Sequence, residues 1–233
     1  MVKKEFFQSF TTSISKKEKL LAILIDPDVF DNSETEYFLN TLPSHTTHLF
    51  VGGSAIENNK TEATVIKLKK YSSLPIFLFP GDESQITQEA DGILFLSLIS
   101  GRNPEYLIGQ QVRSISKLRN SNLEIIATGY ILIEGGNLSA VERVSETAPM
   151  SQDGIQAIVD TAIAGEYLGK KLIYLEAGSG AKYPVHPNII SAVKKAITIP
   201  LLVGGGIKSE KQKKEAYEAG ADMVVMGTFF ENK

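Results

Sequence analysis

The sequence predicts an α/β fold, a single-domain (β/α)8 TIM barrel. Three observations carry this expectation. Eight short apolar runs rich in Ile, Leu and Val recur along the 233 residues. Most are continuously apolar rather than alternating, the pattern of parallel strands buried on both faces. Mixed polar and apolar stretches separate them, as the crossovers of a parallel sheet require. Eight units in 233 residues give about 29 residues each, close to the roughly 31 of a typical barrel. A doubly wound open sheet is the alternative arrangement of the same units.

The runs occupy residues 20–25, 48–51, 76–79, 92–96, 124–127, 172–175, 200–203 and 223–226. Between the second and third, residues 57–71 set Ala63, Ile66 and Leu68 among Lys and Glu. Between the fourth and fifth, Asn103-Pro104 supplies a cap and a first-turn proline. Leu107, Ile108, Val112, Ile115 and Leu118 follow, predicting a helix over 104–119. Residues 152–168 repeat the pattern with Ile155, Ile158, Val159, Ala162 and Ile163. Helices over 188–196 and 209–219 complete the set, the last capped by Ser209 and stopped at Gly220. Only residues 229–233 follow Gly227-Thr228, too few for a closing helix. The stretch 3–12, with Phe6, Phe7 and Phe10, is expected to cover that gap. No linker or low-complexity tract interrupts residues 1–233, so they read as one domain.

Composition narrows the function. Lys and Arg total 24 against 27 Asp and Glu, a net charge of −3 without the clustered cations of a nucleic-acid reader. No cysteine is present, which excludes disulfide scaffolds, thiolate zinc sites and cysteine nucleophiles. His45, His48 and His186 lack the spacing of a zinc helix and read as structural. No secretion signal is visible at the N-terminus, and the longest apolar runs are far short of the roughly 20 residues of a membrane span. The expected location is cytoplasmic.

In a barrel, chemistry sits at the C-terminal ends of the strands. Asp26-Pro27-Asp28 follows the first run, Gly52-Gly53-Ser54 the second, Glu176-Ala177-Gly178-Ser179-Gly180 the sixth, Gly204-Gly205-Gly206 the seventh and Gly227-Thr228 the eighth. Glycines let the backbone approach an anion and turn its amides toward it. Loops after strands seven and eight frequently hold phosphate in this fold. A phosphate site is expected there. Asp26 is expected to bind magnesium, which takes one or two protein carboxylates and completes its shell with phosphates and water. Ser54 suits a metal or phosphate contact or a helix cap. Asp28 reads as a ligand or a turn residue. Glu176, beside the expected anion, fits a general base. The Tyr174 hydroxyl binds ligand if it faces the barrel mouth and is core otherwise. The stretch from Lys208 to Lys214 reads as a solvated helix face, with Lys208 a phosphate neighbour.

Several of these segments together resemble the geranylgeranylglyceryl phosphate synthases. They are Leu24-Ile-Asp-Pro-Asp, Val51-Gly-Gly-Ser, Tyr174-Leu-Glu-Ala-Gly-Ser-Gly-Ala, Val203-Gly-Gly-Gly-Ile and Met226-Gly-Thr, with Leu96-Ser-Leu-Ile-Ser-Gly-Arg-Asn-Pro, Thr128-Gly-Tyr-Ile-Leu-Ile-Glu-Gly-Gly and Ala140-Val-Glu similar to that family's prenyl-groove segments. Each glycine motif is weak alone; the ordered set is specific. The resemblance implies a prenyltransferase that joins the C3 hydroxyl of sn-glycerol 1-phosphate to C1 of geranylgeranyl diphosphate, releasing diphosphate. It implies Mg2+ on Asp26 and Ser54. Glycerol phosphate would be held by Tyr174, Leu175, Glu176, Ala177, Gly178, Ser179 and Gly180, with Gly205, Gly206, Gly227 and Thr228 closing the phosphate cup. Glu176 would deprotonate the hydroxyl. Tyr106, Leu107, Tyr130 and Leu132 are candidates for the prenyl groove. A homo-oligomer, dimer or hexamer, is implied as well. Three rival readings stand: transfer from a longer heptaprenyl diphosphate, a phosphosugar isomerase or synthase of the same fold, and a non-catalytic phosphate-ligand binding module.

Overall fold

Each strand carries two apolar faces, and the fold buries both. In the computed structural model, which describes residues 6–53 and 60–227, eight parallel strands close in sequence order, with β8 paired to β1. They are β1 (Leu20–Ile25), β2 (His48–Val51), β3 (Ile76–Leu78), β4 (Gly92–Leu98), β5 (Glu124–Leu132), β6 (Leu172–Glu176), β7 (Leu201–Gly204) and β8 (Met223–Met226). Leu20, Ala22, Phe50, Tyr130, Tyr174 and Val225 fill the barrel interior. Their neighbours Leu21, Ile23, Val51, Ile131, Leu175 and Val224 pack outward against the helices. This parity explains why the runs are apolar throughout.

The helices are α1 (Phe6–Ser15), α2 (Thr35–Thr41), α3 (Lys60–Tyr71), α4 (Gln110–Leu118), α5 (Ala140–Ser145), α6 (Ile155–Tyr167), α7 (Pro187–Ala196) and α8 (Glu210–Glu218). Local chemistry sets several ends. Ser209 caps α8, and Gly220 beyond it takes φ +113°. His186 caps α7, its Nδ1 accepting the Asn188 N–H at 3.2 Å, with Pro187 in the first turn. This is the structural role expected of it. The helix expected over 104–119 differs at its start: residues Glu105–Gly109 form a π turn before α4. Ser97 Oγ donates to the Leu107 carbonyl at 2.6 Å. A side chain inserted there takes that carbonyl out of the regular ladder.

The aromatic N-terminal stretch does something other than fill a gap beside β8. Helix α1 lies across the N-terminal mouth of the barrel. Phe6 meets Phe77 edge-on at 5.8 Å, Phe10 meets His48 at 6.0 Å, and the Phe7 N–H donates to Glu124 Oε2 at 3.0 Å. All three partners lie at or beside strand starts. The tail at 229–233 lies outside the described residues. Burial holds His48 near a pKa of about 4, so it is a neutral core residue at physiological pH. Phe10→Ala is expected to cost about 3 kcal/mol, read from urea unfolding.

One further reading is corrected. Lys213 is buried rather than solvated: its Nζ lies 2.7 Å from His45 Nε2 and 2.9 Å from Glu210 Oε1. Lys208 Nζ donates to the Ala181 carbonyl at 2.8 Å, tying the loop after β7 to the loop after β6. One departure shapes the site. Between β3 and β4 the chain makes no α-helix; that connection carries only a 3-10 turn, Glu83–Gln85. The ring of helices is open there.

Candidate active site

Strand parity continues past the last pairs of β6 and selects which side chains face the barrel mouth. Tyr174 and Glu176 point inward, paired in register with Tyr130 and Leu132. Leu175 and Ala177 point outward into the layer under the helices. Those two residues therefore offer a ligand only main-chain atoms. Glu176 is 6% exposed, and its Oε1 accepts the Gly178 N–H at 2.7 Å. Burial pushes its pKa up to about 7, with the Gly178 amide and Tyr174 opposing the rise. Tyr174 is fully buried, and its hydroxyl lies beside the Glu176 carboxyl without a well-formed hydrogen bond to it. Burial also raises the Tyr174 and Tyr130 hydroxyls, which stay protonated.

The loop after β7 presses on this carboxylate. Gly205 has φ +77°, and a Cβ there would fall 2.3 Å from Glu176 Oε1, 2.6 Å from the Gly178 nitrogen and 2.7 Å from the Ala177 nitrogen. Only glycine fits both the space and the backbone conformation. Among the described residues, the amides of Ser179, Gly180, Gly205 and Gly206 donate to no protein acceptor. Unpaired amides at the cavity border, those of Ser179 and Gly205, suit an anion.

Across the mouth, Asp26 follows β1. Its Oδ1 accepts the Asp28 N–H at 3.0 Å, the turn contact expected of Asp28, which also pairs with Lys60 at 3.1 Å. Burial raises the Asp26 pKa, opposed chiefly by that amide. The Gly53 backbone lies against this carboxylate, since a Cβ there would sit 2.9 Å from Oδ2. Ser54 and Thr228 lie outside the described residues. Among the described residues, no group of three or more His, Asp or Glu is arranged to hold a metal.

A cavity of about 600 Å³ joins the two sides. Asp26, Gly53, Tyr174, Glu176, Ser179, Gly205 and Gly227 border it at the mouth. Gly178, Gly180 and Gly206 shape the loops behind that border without facing it. From there the cavity runs sideways over the connection that lacks a helix. Phe79, Leu94, Leu96, Tyr106, Gln111, Ser114, Val141 and Val144 wall this groove. Of the groove candidates, Tyr106 and Tyr130 border the cavity, whereas Leu107 and Leu132 do not. The segments that resemble the family's prenyl groove contain Leu96, Tyr130 and Val141, whereas Phe79, Leu94 and Val144 are not singled out. A signal for those three is the missing amphipathic stretch between β3 and β4.

The model of the PcrB family matches residues 13–233. The chain belongs to the PcrB family. This family member is 57% identical to a geranylgeranylglyceryl phosphate synthase of Zunongwangia profunda over 215 residues, 92% of each chain. It is 39% identical to the synthase of that name from Thermococcus gammatolerans, over 93% of this chain and 86% of the relative. Its fold matches the crystal structure of (S)-3-O-geranylgeranylglyceryl phosphate synthase from Thermoplasma acidophilum in complex with substrate sn-glycerol-1-phosphate. That match has a TM-score of 0.89 and 31% identity, and covers 97% of this chain and 91% of the other. An N-acetylmannosamine-6-phosphate 2-epimerase from Clostridium perfringens, 12% identical with a TM-score of 0.57, shares the barrel fold alone. Among the described residues, no helix is long and apolar enough to cross a membrane.

Proposed function

We propose that this PcrB family member is a cytoplasmic, magnesium-dependent prenyltransferase that makes geranylgeranylglyceryl phosphate from sn-glycerol 1-phosphate and geranylgeranyl diphosphate. The observation that carries this reading is one continuous cavity, bordered by Asp26, Glu176 and the glycine loops at one end and by an apolar groove at the other. A polar mouth continuous with an apolar trough suits a donor with a charged head and a hydrocarbon tail. The names of the similar synthases, and the sn-glycerol-1-phosphate in complex with the Thermoplasma acidophilum enzyme, support the same substrates.

The residues do chemistry in a definite order of roles. Amides of the loops after β6 and β7 receive the glycerol phosphate, and the buried Tyr174 hydroxyl gains a polar neighbour. Fixing the acceptor beside the donor's C1 removes much of the entropic barrier. Glu176, ionised above about pH 7, accepts the proton of the C3 hydroxyl as its oxygen bonds to C1. The bond from C1 to the diphosphate oxygen breaks in the same event, and diphosphate leaves with the electron pair. The rings of Phe79, Tyr130 and Tyr174, with centroids 5.2 to 6.1 Å apart, keep the allylic centre out of water.

Asp26 fits a magnesium ligand: it is a half-buried carboxylate at the cavity mouth, with its pKa raised by burial and by the neighbouring Asp28 carboxylate. One or two protein ligands suit magnesium that takes the rest of its shell from diphosphate and water, and Ser54 would be the second protein contact. When bound there, the ion would neutralise charge on the departing diphosphate. Self-association is part of the reading, and Ile108, Val112 and Ile115, exposed on one face of the π turn and α4, support it.

Incubation with sn-glycerol 1-phosphate, Mg2+ and labelled geranylgeranyl diphosphate is expected to yield a labelled ether lipid. Chelation with EDTA is expected to stop it. Absence of product overturns the reading, and competition among prenyl lengths identifies the preferred donor.

A further inference from the structure

The last backbone hydrogen bond between β2 and β3 runs from the Phe79 N–H to the Val51 carbonyl, at 2.9 Å. Beyond it the two chains would separate at the barrel mouth, because the connection after β3 has no helix to hold it down. One side chain continues the pairing. Gln85, 3% exposed, donates from Nε2 to the Gly53 carbonyl at 2.8 Å and accepts the Gly53 N–H on Oε1 at 3.4 Å. The same Oε1 accepts the Gly81 N–H at 3.1 Å. Its amide thus acts as a short piece of strand, satisfying both polar groups of Gly53 and one of Gly81.

Those two glycines belong to different parts of the cavity. Gly53 lies against the Asp26 carboxylate, and Gly81 forms part of the groove wall. We propose that Gln85 is a positioning residue that fixes the Gly53 backbone beside Asp26 and the Gly81 wall of the groove as one unit, so that the charged head and the first part of the tail of a prenyl diphosphate meet a single prearranged surface. Gln85 touches neither acceptor loop: Glu176 and Gly205 are held by contacts on β6 and β7. The inference rests on the proposed prenyl transfer and adds a residue to its donor side.

Gln85→Leu removes both ends of the clasp at similar bulk. The KM for geranylgeranyl diphosphate is expected to rise about tenfold, the effect of losing a buried hydrogen-bond pair. The Kd of sn-glycerol 1-phosphate, measured by calorimetry, is expected to change by less than about twofold, because distant sites act independently. A readout without turnover is Mn2+ titration in the presence of inorganic diphosphate, followed by electron paramagnetic resonance. Mn2+ affinity is expected to fall about tenfold in the variant. Should Gln85→Leu fail to fold, Gln85→Asn, one methylene shorter, is expected to shift both measurements in the same direction. Unchanged donor KM and Mn2+ affinity overturn the proposal. So does an equal loss for both substrates, which marks general loosening. If the wild-type protein binds Mn2+ with diphosphate but forms no ether lipid, the transfer reading fails, and the Mn2+ titration alone decides the role of Gln85.

Discussion

Glu176→Gln is expected to lower kcat by about 10²- to 10⁴-fold, the usual contribution of a positioned general base. Glutamine keeps the shape and still accepts the Gly178 amide, so sn-glycerol 1-phosphate affinity is expected to hold within about threefold. The wild-type rate is expected to rise with pH through about 7, where Glu176 ionises, and the residual rate of the variant is expected to lose that step. Stability moves the other way. The folded pKa of about 7 lies above the ordinary 4.5, so the folded state favours the protonated acid. The stabilisation from this group is complete below about pH 4.5 and is lost as pH rises through about 7. Glu176→Gln is therefore expected to stabilise the unliganded protein at pH 8 by on the order of 3 kcal/mol, and by almost nothing at pH 4. Thermal unfolding of both proteins across that range checks the sign. A base that destabilises its own fold when charged is the signature of a site kept for chemistry.

Gly205→Ala is expected to abolish acceptor binding, while Gly180→Ala leaves most of it. Both glycines have positive φ, +77° and +71°. Each substitution therefore costs about 1 kcal/mol or more of backbone strain. They differ in space. A Cβ at Gly180 meets nothing within 4 Å, whereas one at Gly205 strikes Glu176 Oε1 and two backbone nitrogens inside 2.7 Å. Backbone cannot rotate aside as a side chain can, so the amides after β6 must shift. Loss of sn-glycerol 1-phosphate affinity of about 100-fold or more is expected for Gly205→Ala, against less than about fivefold for Gly180→Ala. Calorimetry on the two variants isolates the packing effect from the strain they share.

Much of this was legible in the sequence because the relevant signals are local. Strands buried on both faces leave continuous apolar runs, and all eight runs became strands. Asp26, Glu176 and Gly205 stand at strand ends, where the fold turns sequence position into spatial position. The groove was legible only through the family resemblance, which marks the segments of Leu96, Tyr130 and Val141 and leaves out Phe79, Leu94 and Val144. Its walls come from residues 79–86, β4, the π turn with α4, and α5, and no periodicity marks side chains that meet only because a helix is missing. Lys213 misled because its partner His45 is distant in sequence, and a lysine in a run of lysines looks solvated. Leu107 does not border the cavity although its neighbour Tyr106 does, since adjacent helical residues point to different faces. Gln85 left no trace, since a single glutamine in a loop carries no pattern.

The absent helix between β3 and β4 separates two kinds of change that a complete ring would bind together. In the proposed transfer, the hydrocarbon tail would lie along a seam in the outer wall, while bond making would take place at residues rooted in the closed sheet. Substitutions along the seam can retune which lipid is accepted without disturbing a single reacting atom. On that reading, tail preference can drift while the reaction itself stays untouched.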